Sequence, residues 1–259
     1  VENLPVPPSL SSRRRSSAAS QTLADQFRPL IAIHDTVRDR APSAVDVEAA
    51  RKRIRSGRYG FEPAELLQHA GDLTRAFQRT AAAFERVGAA SASQLHALRS
   101  KPHDVSALLL SWVHGDSMPR NPAQRLARHV AAVVGNAVLS RAAEDVADGF
   151  SFAAWKRSHC PCCGGSPDLA LATDKRRSLI CWRCDTVWRT PQLGCLGCGA
   201  DSPPTLVRVA SPYGYELTIC NSCGRYLKER RGAPAHSLIV ERALTAGLDE
   251  AAEQRGLRV

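Results

Sequence analysis

All nine cysteines of the chain fall between residues 160 and 223. Eight of them form four Cys-x-x-Cys pairs: Cys160/Cys163, Cys181/Cys184, Cys195/Cys198 and Cys220/Cys223. Two intervening residues let the chain turn sharply enough for both sulfurs to face one point. A glycine after the pair takes φ > 0 and lets the backbone N–H groups of the turn point at the sulfurs. Gly164, Gly199 and Gly224 fill that position, and Asp185 fills it in the remaining turn. Aspartate tolerates the left-handed region better than most residues. Two such turns make one tetrahedral four-cysteine site, so four make two. Sequential pairing closes loops of 17 residues (164–180) and 21 residues (199–219), each long enough for a small β-hairpin. Joining the second pair to the third would leave only 10 residues between them. The expected ligand sets are therefore Cys160, Cys163, Cys181, Cys184 and Cys195, Cys198, Cys220, Cys223. Cys162 lacks ligand spacing and reads as a small tolerated residue or as a spare thiol poised for exchange or oxidation.

Tetrahedral four-sulfur sites suit zinc or iron, and residue types do not separate the two. Zinc would act as a staple for a region with little core of its own. Iron would add redox sensing. Four thiolates leave no open position for a substrate. The chain also has no P-loop, no Gly-x-Ser-x-Gly and no His-Glu-x-x-His. A protein without catalytic activity is expected. A thioredoxin-like pair would need a strand–turn–helix setting, which these segments lack. No apolar run reaches the roughly 18 residues of a membrane span. Residues 1–20 carry no apolar stretch after their arginines, so no signal peptide is expected. Both points favour a cytoplasmic protein, where paired cysteines are metal ligands more often than disulfides.

Two textures surround this chemistry. Residues 1–20 are Ser-rich with Arg13-Arg14-Arg15, and read as a disordered arm. Residues 21–150 read as an α-helical domain. Helices are predicted over 21–40, 62–87, 93–99, 103–114 and 122–148, the last with Asn121 as cap and Gly149 beyond its end. Cysteine, glycine and proline then become dense. Short β-like runs at 168–173, 177–180, 206–210 and 215–219 belong to a first metal module (151–191) and a second (192–234). A closing helix is expected within 235–259. The fold class is α+β: a helical domain, two small knuckle modules of zinc-ribbon or rubredoxin type, and a C-terminal helix.

The chain carries a net charge of +10. Between 151 and 235, twelve Lys or Arg face six Asp or Glu. Such a face suits an acidic partner surface or nucleic acid.

The run "CPCCGG…CWRCDTVW…CLGCG…CNSCGRYLK" resembles the FdhE family, accessory proteins of formate dehydrogenase biogenesis. The order of the four pairs carries the likeness. So do Thr186 and Trp188 after Cys184, Tyr226-Leu227-Lys228 after the last pair, Trp155 ahead of the first, and the tail "ERALTAGLDEAAEQRGLRV". The likeness covers about residues 152–259 and is only general before them. One departure is the extra Cys162. Another is the run "ASPYGYELTIC", less acidic than the family pattern implies. The resemblance implies a cytoplasmic, non-enzymatic protein with two rubredoxin-like knuckles holding iron or zinc. It would bind the catalytic subunit of a respiratory formate dehydrogenase and assist its maturation, around cofactor loading and export by the twin-arginine route. Arginine and tyrosine are favoured interface anchors. Arg176, Arg177, Arg183, Arg189, Tyr213, Tyr215, Arg225 and Lys228, beside the knuckles, are therefore the candidate client contacts. The alternatives are a zinc-ribbon protein binding nucleic acid, with a marked salt dependence, and a rubredoxin-like redox module.

Overall fold

The computed structural model describes Thr22 and residues 25–258, apart from 43, 101, 102, 117, 118, 174, 175, 192, 193, 203, 204, 211–213 and 235. The expected arm at 1–20 and the candidate Tyr213 lie outside the described residues. Eight helices and six strands follow: α1 Arg28–Arg40, α2 Val47–Arg55, α3 Pro63–His69, α4 Thr74–Arg86, α5 Ala92–Arg99, α6 Val105–His114, α7 Pro122–Ala147, β1 Pro167–Ala172, β2 Arg177–Cys181, β3 Val187–Thr190, β4 Leu206–Ala210, β5 Tyr215–Cys220, β6 Tyr226–Arg231 and α8 Leu238–Glu253.

Helix α7 is the axis of the helical half. Asn121 accepts from the N–H groups of Ala123 and Gln124, and Pro122 opens the first turn. Its Ala- and Val-rich surface is buried nearly all round, and α1, α4, α5 and α6 pack on it. The single helix predicted over 62–87 is two helices, α3 and α4. Gly71 takes φ +78° between them, and the Asp72 side chain caps the Thr74 N–H at 2.8 Å. Helix α2, absent from the expectation, starts at Asp46, whose carboxylate accepts from the Ala49 N–H at 3.0 Å.

The second half repeats one plan. In each module a cysteine turn leads into a hairpin, the hairpin ends on the first cysteine of a second turn, and a third strand follows. The two modules are not separate beads. They share one six-stranded sheet in the order β3-β2-β1-β6-β5-β4. The joint is parallel: β1 of the first module pairs β6 of the second, with Leu169 opposite Lys228. All other neighbours are antiparallel. The same hydrophobic cluster holds the α7 residues Val130 and Leu139, Trp112 of α6, Trp155, Trp188 and the cysteines of the first module. The N–H groups of Gly60 and Phe61 also bond the carbonyls of Pro161 and Cys162, each at 2.9 Å. The first module is thus built into the helical core, while the second reaches it across the sheet.

Candidate metal centres

The four cysteine turns are copies of one hydrogen-bonded loop. In each, the first cysteine donates its N–H to the carbonyl five residues on, namely Gly165, Thr186, Ala200 and Arg225. In each, the N–H four residues on, of Gly164, Asp185, Gly199 and Gly224, returns to that cysteine's carbonyl. The returning residue has φ of 70°, 58°, 80° and 67° in the same order. This is why glycine recurs there, and Asp185 is the non-glycine residue with positive φ among the described residues.

The loops bring the sulfurs together in the sequential pairing. Cys160, Cys163, Cys181 and Cys184 form the first set, and Cys195, Cys198, Cys220 and Cys223 the second; within each set all four Sγ atoms lie within 4.8 Å of one another. In the first set the Sγ–Sγ distances are 3.6 Å (Cys160–Cys184), 3.4 Å (Cys163–Cys181) and 3.4 Å (Cys163–Cys184). In the second, Cys195–Cys223 and Cys198–Cys220 are each 3.5 Å apart. A tetrahedron with metal–sulfur bonds of about 2.3 Å has edges of about 3.8 Å. Donor type, count and spacing therefore fit one tetrahedral ion per set, zinc or iron.

The two centres differ in access. All four cysteines of the first are buried. In the second, Cys198 is exposed and Cys223 half-buried. Around the first centre lie further donors. The Arg183 N–H reaches Cys181 Sγ at 3.4 Å, and the Thr186 hydroxyl stands 3.1 Å from Cys184 Sγ. Burial pushes the Cys160 thiol up, but hydrogen bonding from Cys162, Cys163 and Cys181 outweighs it and holds the group at about 6. At the second centre, the Ala200 backbone and Cys220 hold Cys198 down at about 7. The neighbouring thiols shift the other way: burial pushes Cys163, Cys220 and Cys223 up. Cys162 is fully buried and stands outside the four-sulfur set, supporting Cys160 from the side. Cys162→Ala is accordingly expected to keep two ions per chain by element analysis. Loss of one ion would make Cys162 a ligand.

A polar chain ties the first centre to both flanking helices. Arg242 of α8 donates to Asp168 at 2.8 Å, to Asp185 at 2.7 Å and to the Cys181 carbonyl at 2.9 Å. Asn136 of α7 donates to the Asp185 carboxylate and the Arg183 carbonyl, each at 3.1 Å, and stands 2.8 Å from His34 Nε2. Burial pushes the Asp168 carboxyl up, but Arg242 and Lys228 outweigh it and hold it below the usual carboxylate range. Asp185 is therefore more than a tolerated substitute for glycine. Asp185→Gly keeps the turn and removes the acceptor shared by Arg242 and Asn136. Relief of the left-handed strain returns about 1 kcal/mol, against about 3 kcal/mol for a partly buried charge left with fewer partners. A net loss of about 2 kcal/mol lowers the melting temperature by about 4–8 °C in a protein of this size. An unchanged melting temperature would show the network to be idle.

The candidate client contacts divide. Arg176 and Arg189 are exposed, and Arg183 and Arg225 half-buried, with Arg183 lying over the Trp182 ring at 4.9 Å. Arg177, Tyr215 and Lys228 sit in the interior instead, at 2%, 1% and 1% exposure. Arg177 pairs with Glu229 at 2.5 Å, the Tyr215 hydroxyl donates to Glu241 at 2.8 Å, and Lys228 donates to Asp249 at 2.6 Å. These three hold the sheet and α8 together and are out of a partner's reach in this fold. Trp188 is buried, its indole N–H on the Arg157 carbonyl at 3.1 Å. Trp182 packs edge-on against Trp112, with ring centroids 5.2 Å apart.

An α-helical domain fused to one sheet with two four-cysteine knuckle centres defines the class of protein. No family model and no curated protein matches the sequence. The fold is similar to that of the crystal structure of the FdhE protein from Pseudomonas aeruginosa, with a TM-score of 0.60 and 19% identity over 94% of this chain and 91% of that one. The likeness read from the four cysteine pairs holds at the level of the fold, and it extends through the helical half, where no motif showed it. No helix among the described residues is long and apolar enough to cross a membrane.

Proposed function

We propose that this chain is a cytoplasmic accessory protein without catalytic activity that binds the catalytic subunit of a formate dehydrogenase and assists its maturation. The observation that carries this reading is the FdhE fold over 94% of the chain, together with two four-cysteine sets in sequential pairing. Each set holds one iron or zinc ion and stiffens the loops that bear the contact residues. Strand β3 lies at the edge of the sheet. Val187 is 49% exposed there, and Arg189 follows two residues on, so both side chains share the outer face. With Arg176, Arg183 and Arg225 they supply apolar and cationic contacts for a client surface.

Basic charge on the second half is partly spent internally, because Arg177, Lys228 and Arg242 pair with Glu229, Asp249 and Asp168. This lowers the free positive charge that a nucleic-acid reading would need. The test is co-purification with the formate dehydrogenase catalytic subunit, together with formate dehydrogenase activity in a strain lacking this protein. Stable association and lost activity are expected. No association, with normal activity in the deletion strain, would overturn the proposal.

A further inference from the structure

Next to the first centre runs a groove of about 570 Å³. One wall is a single face of α8: Ile239, Arg242, Ala243, Ala246, Asp249 and Glu253 recur at helical spacing. At about 1.5 Å per residue that wall is about 21 Å long. Facing it are α7 from Arg128 to Asn136, Trp112 of α6 and Trp182 of the second cysteine turn, while Leu30 and Phe84 close the end at Ile239, which packs against them. The small side chains of Ala243 and Ala246 leave the middle of the wall open. Four helical turns of wall, apolar in the middle, match the length of a helical peptide rather than a compact ligand.

The charges in the groove are unevenly satisfied. Asp168 is taken up by Arg242, and Asp249 by Lys228 and Tyr226. Arg128 is 5% exposed and reaches only neutral acceptors, the Ser111 hydroxyl at 2.7 Å and the Asp116 carbonyl at 2.8 Å. Its Nε has no acceptor among the described residues, and no described carboxylate lies within 4.0 Å of its guanidinium. Burial pulls the guanidinium below its ordinary value, and the Asp116 carboxylate, acting from beyond ion-pair distance, offsets this only in part. A desolvated cation so weakly countered is costly, and an incoming carboxylate lowers that cost. Asp116 and Glu253 are exposed at the rim. They disfavour a segment acidic along its whole length, so the acid belongs at one position.

We propose that this groove receives one helical segment of the client catalytic subunit, apolar along one face and carrying a single Asp or Glu that pairs with Arg128. The inference rests on the client reading above and adds a second contact surface to the knuckle loops. The test titrates purified catalytic subunit onto the full-length, metal-loaded chain. Ala246→Trp fills the groove from an exposed helical position, and Arg128→Met removes the cation while keeping an apolar stem. At least tenfold weaker binding is expected for each, with melting temperatures at or above wild type for Arg128→Met. Hydrogen exchange in the complex is expected to show new protection on α8 and on the N-terminal half of α7. Wild-type affinity in both variants, or no protection on those helices, overturns the groove while leaving the client reading intact. Failure of the wild-type chain to bind the subunit overturns both.

Discussion

Cys184→Ser is expected to leave the protein unable to hold its helical half folded, whereas Cys198→Ser leaves that half native. The two substitutions are chemically identical and differ in where the sulfur sits. Cys184 is 1% exposed and belongs to the same hydrophobic cluster as Leu139, Trp112 and Leu98. Its centre receives the chain from the helical side through Gly60 and Phe61, and is clamped by Asn136 and Arg242. Structural zinc contributes an apparent 10–16 kcal/mol, about the whole stability of a domain. Losing it from the centre of a shared core removes more than a module. Cys198 is exposed, and its module is tied on through the β1–β6 joint and through α8, by Tyr215–Glu241 and Lys228–Asp249, contacts remote from Cys184 in sequence and hydrogen bonding. Circular dichroism at 222 nm against temperature separates the cases. Cys184→Ser should show no cooperative transition or an insoluble chain, and Cys198→Ser a helical transition within about 10 °C of wild type, as expected for a loss of a few kcal/mol. A Cys184→Ser protein that melts like wild type would mean that the first centre is an ornament on the fold.

Metal release is expected in two phases, with the second centre emptying first. An ion enclosed by Cys160, Cys163, Cys181 and Cys184 is reached only when the surrounding core opens, and such openings approach the global unfolding free energy. Around Cys198 and Cys223 a chelator meets thiolates directly. With an excess of a chromogenic chelator at neutral pH, one equivalent should be released at least tenfold faster than the other. Helical content should stay unchanged through the fast phase. Cys198→Ser should remove the fast phase alone. A single phase of two equivalents, or helix loss that accompanies the first equivalent, would contradict the difference in burial.

The four cysteine turns were legible because everything that makes them is local. The spacing of two residues, the following glycine and the returning N–H all lie within six residues of one another. Asp185 was legible only in part. Its left-handed backbone follows from the same local pattern, but Arg242, which makes its carboxylate useful, lies 57 residues away. Strand β6 is not legible in the sequence for a related reason. Its sequence Tyr226-Leu227-Lys228-Glu229-Arg230-Arg231 looks like a solvated loop. Lys228 and Glu229 are buried because Asp249 and Arg177 neutralise them, and neither partner is near in sequence. The same long-range pairing turns two expected modules into one sheet. The parallel contact of β1 with β6 joins residues such as Leu169 and Lys228, and no turn or period announces it. In the helical half the period runs unbroken through 62–87, but Gly71 and the Asp72 cap divide that one stripe into two helices.

Element analysis combined with native mass spectrometry of the anaerobically purified full-length chain bears most directly on the eight converging thiolates. Two ions per chain, iron or zinc, are expected, with all eight knuckle cysteines protected from alkylation until metal is withdrawn. A folded chain that carries no ion and offers those cysteines freely to a thiol reagent would contradict two closed four-cysteine centres.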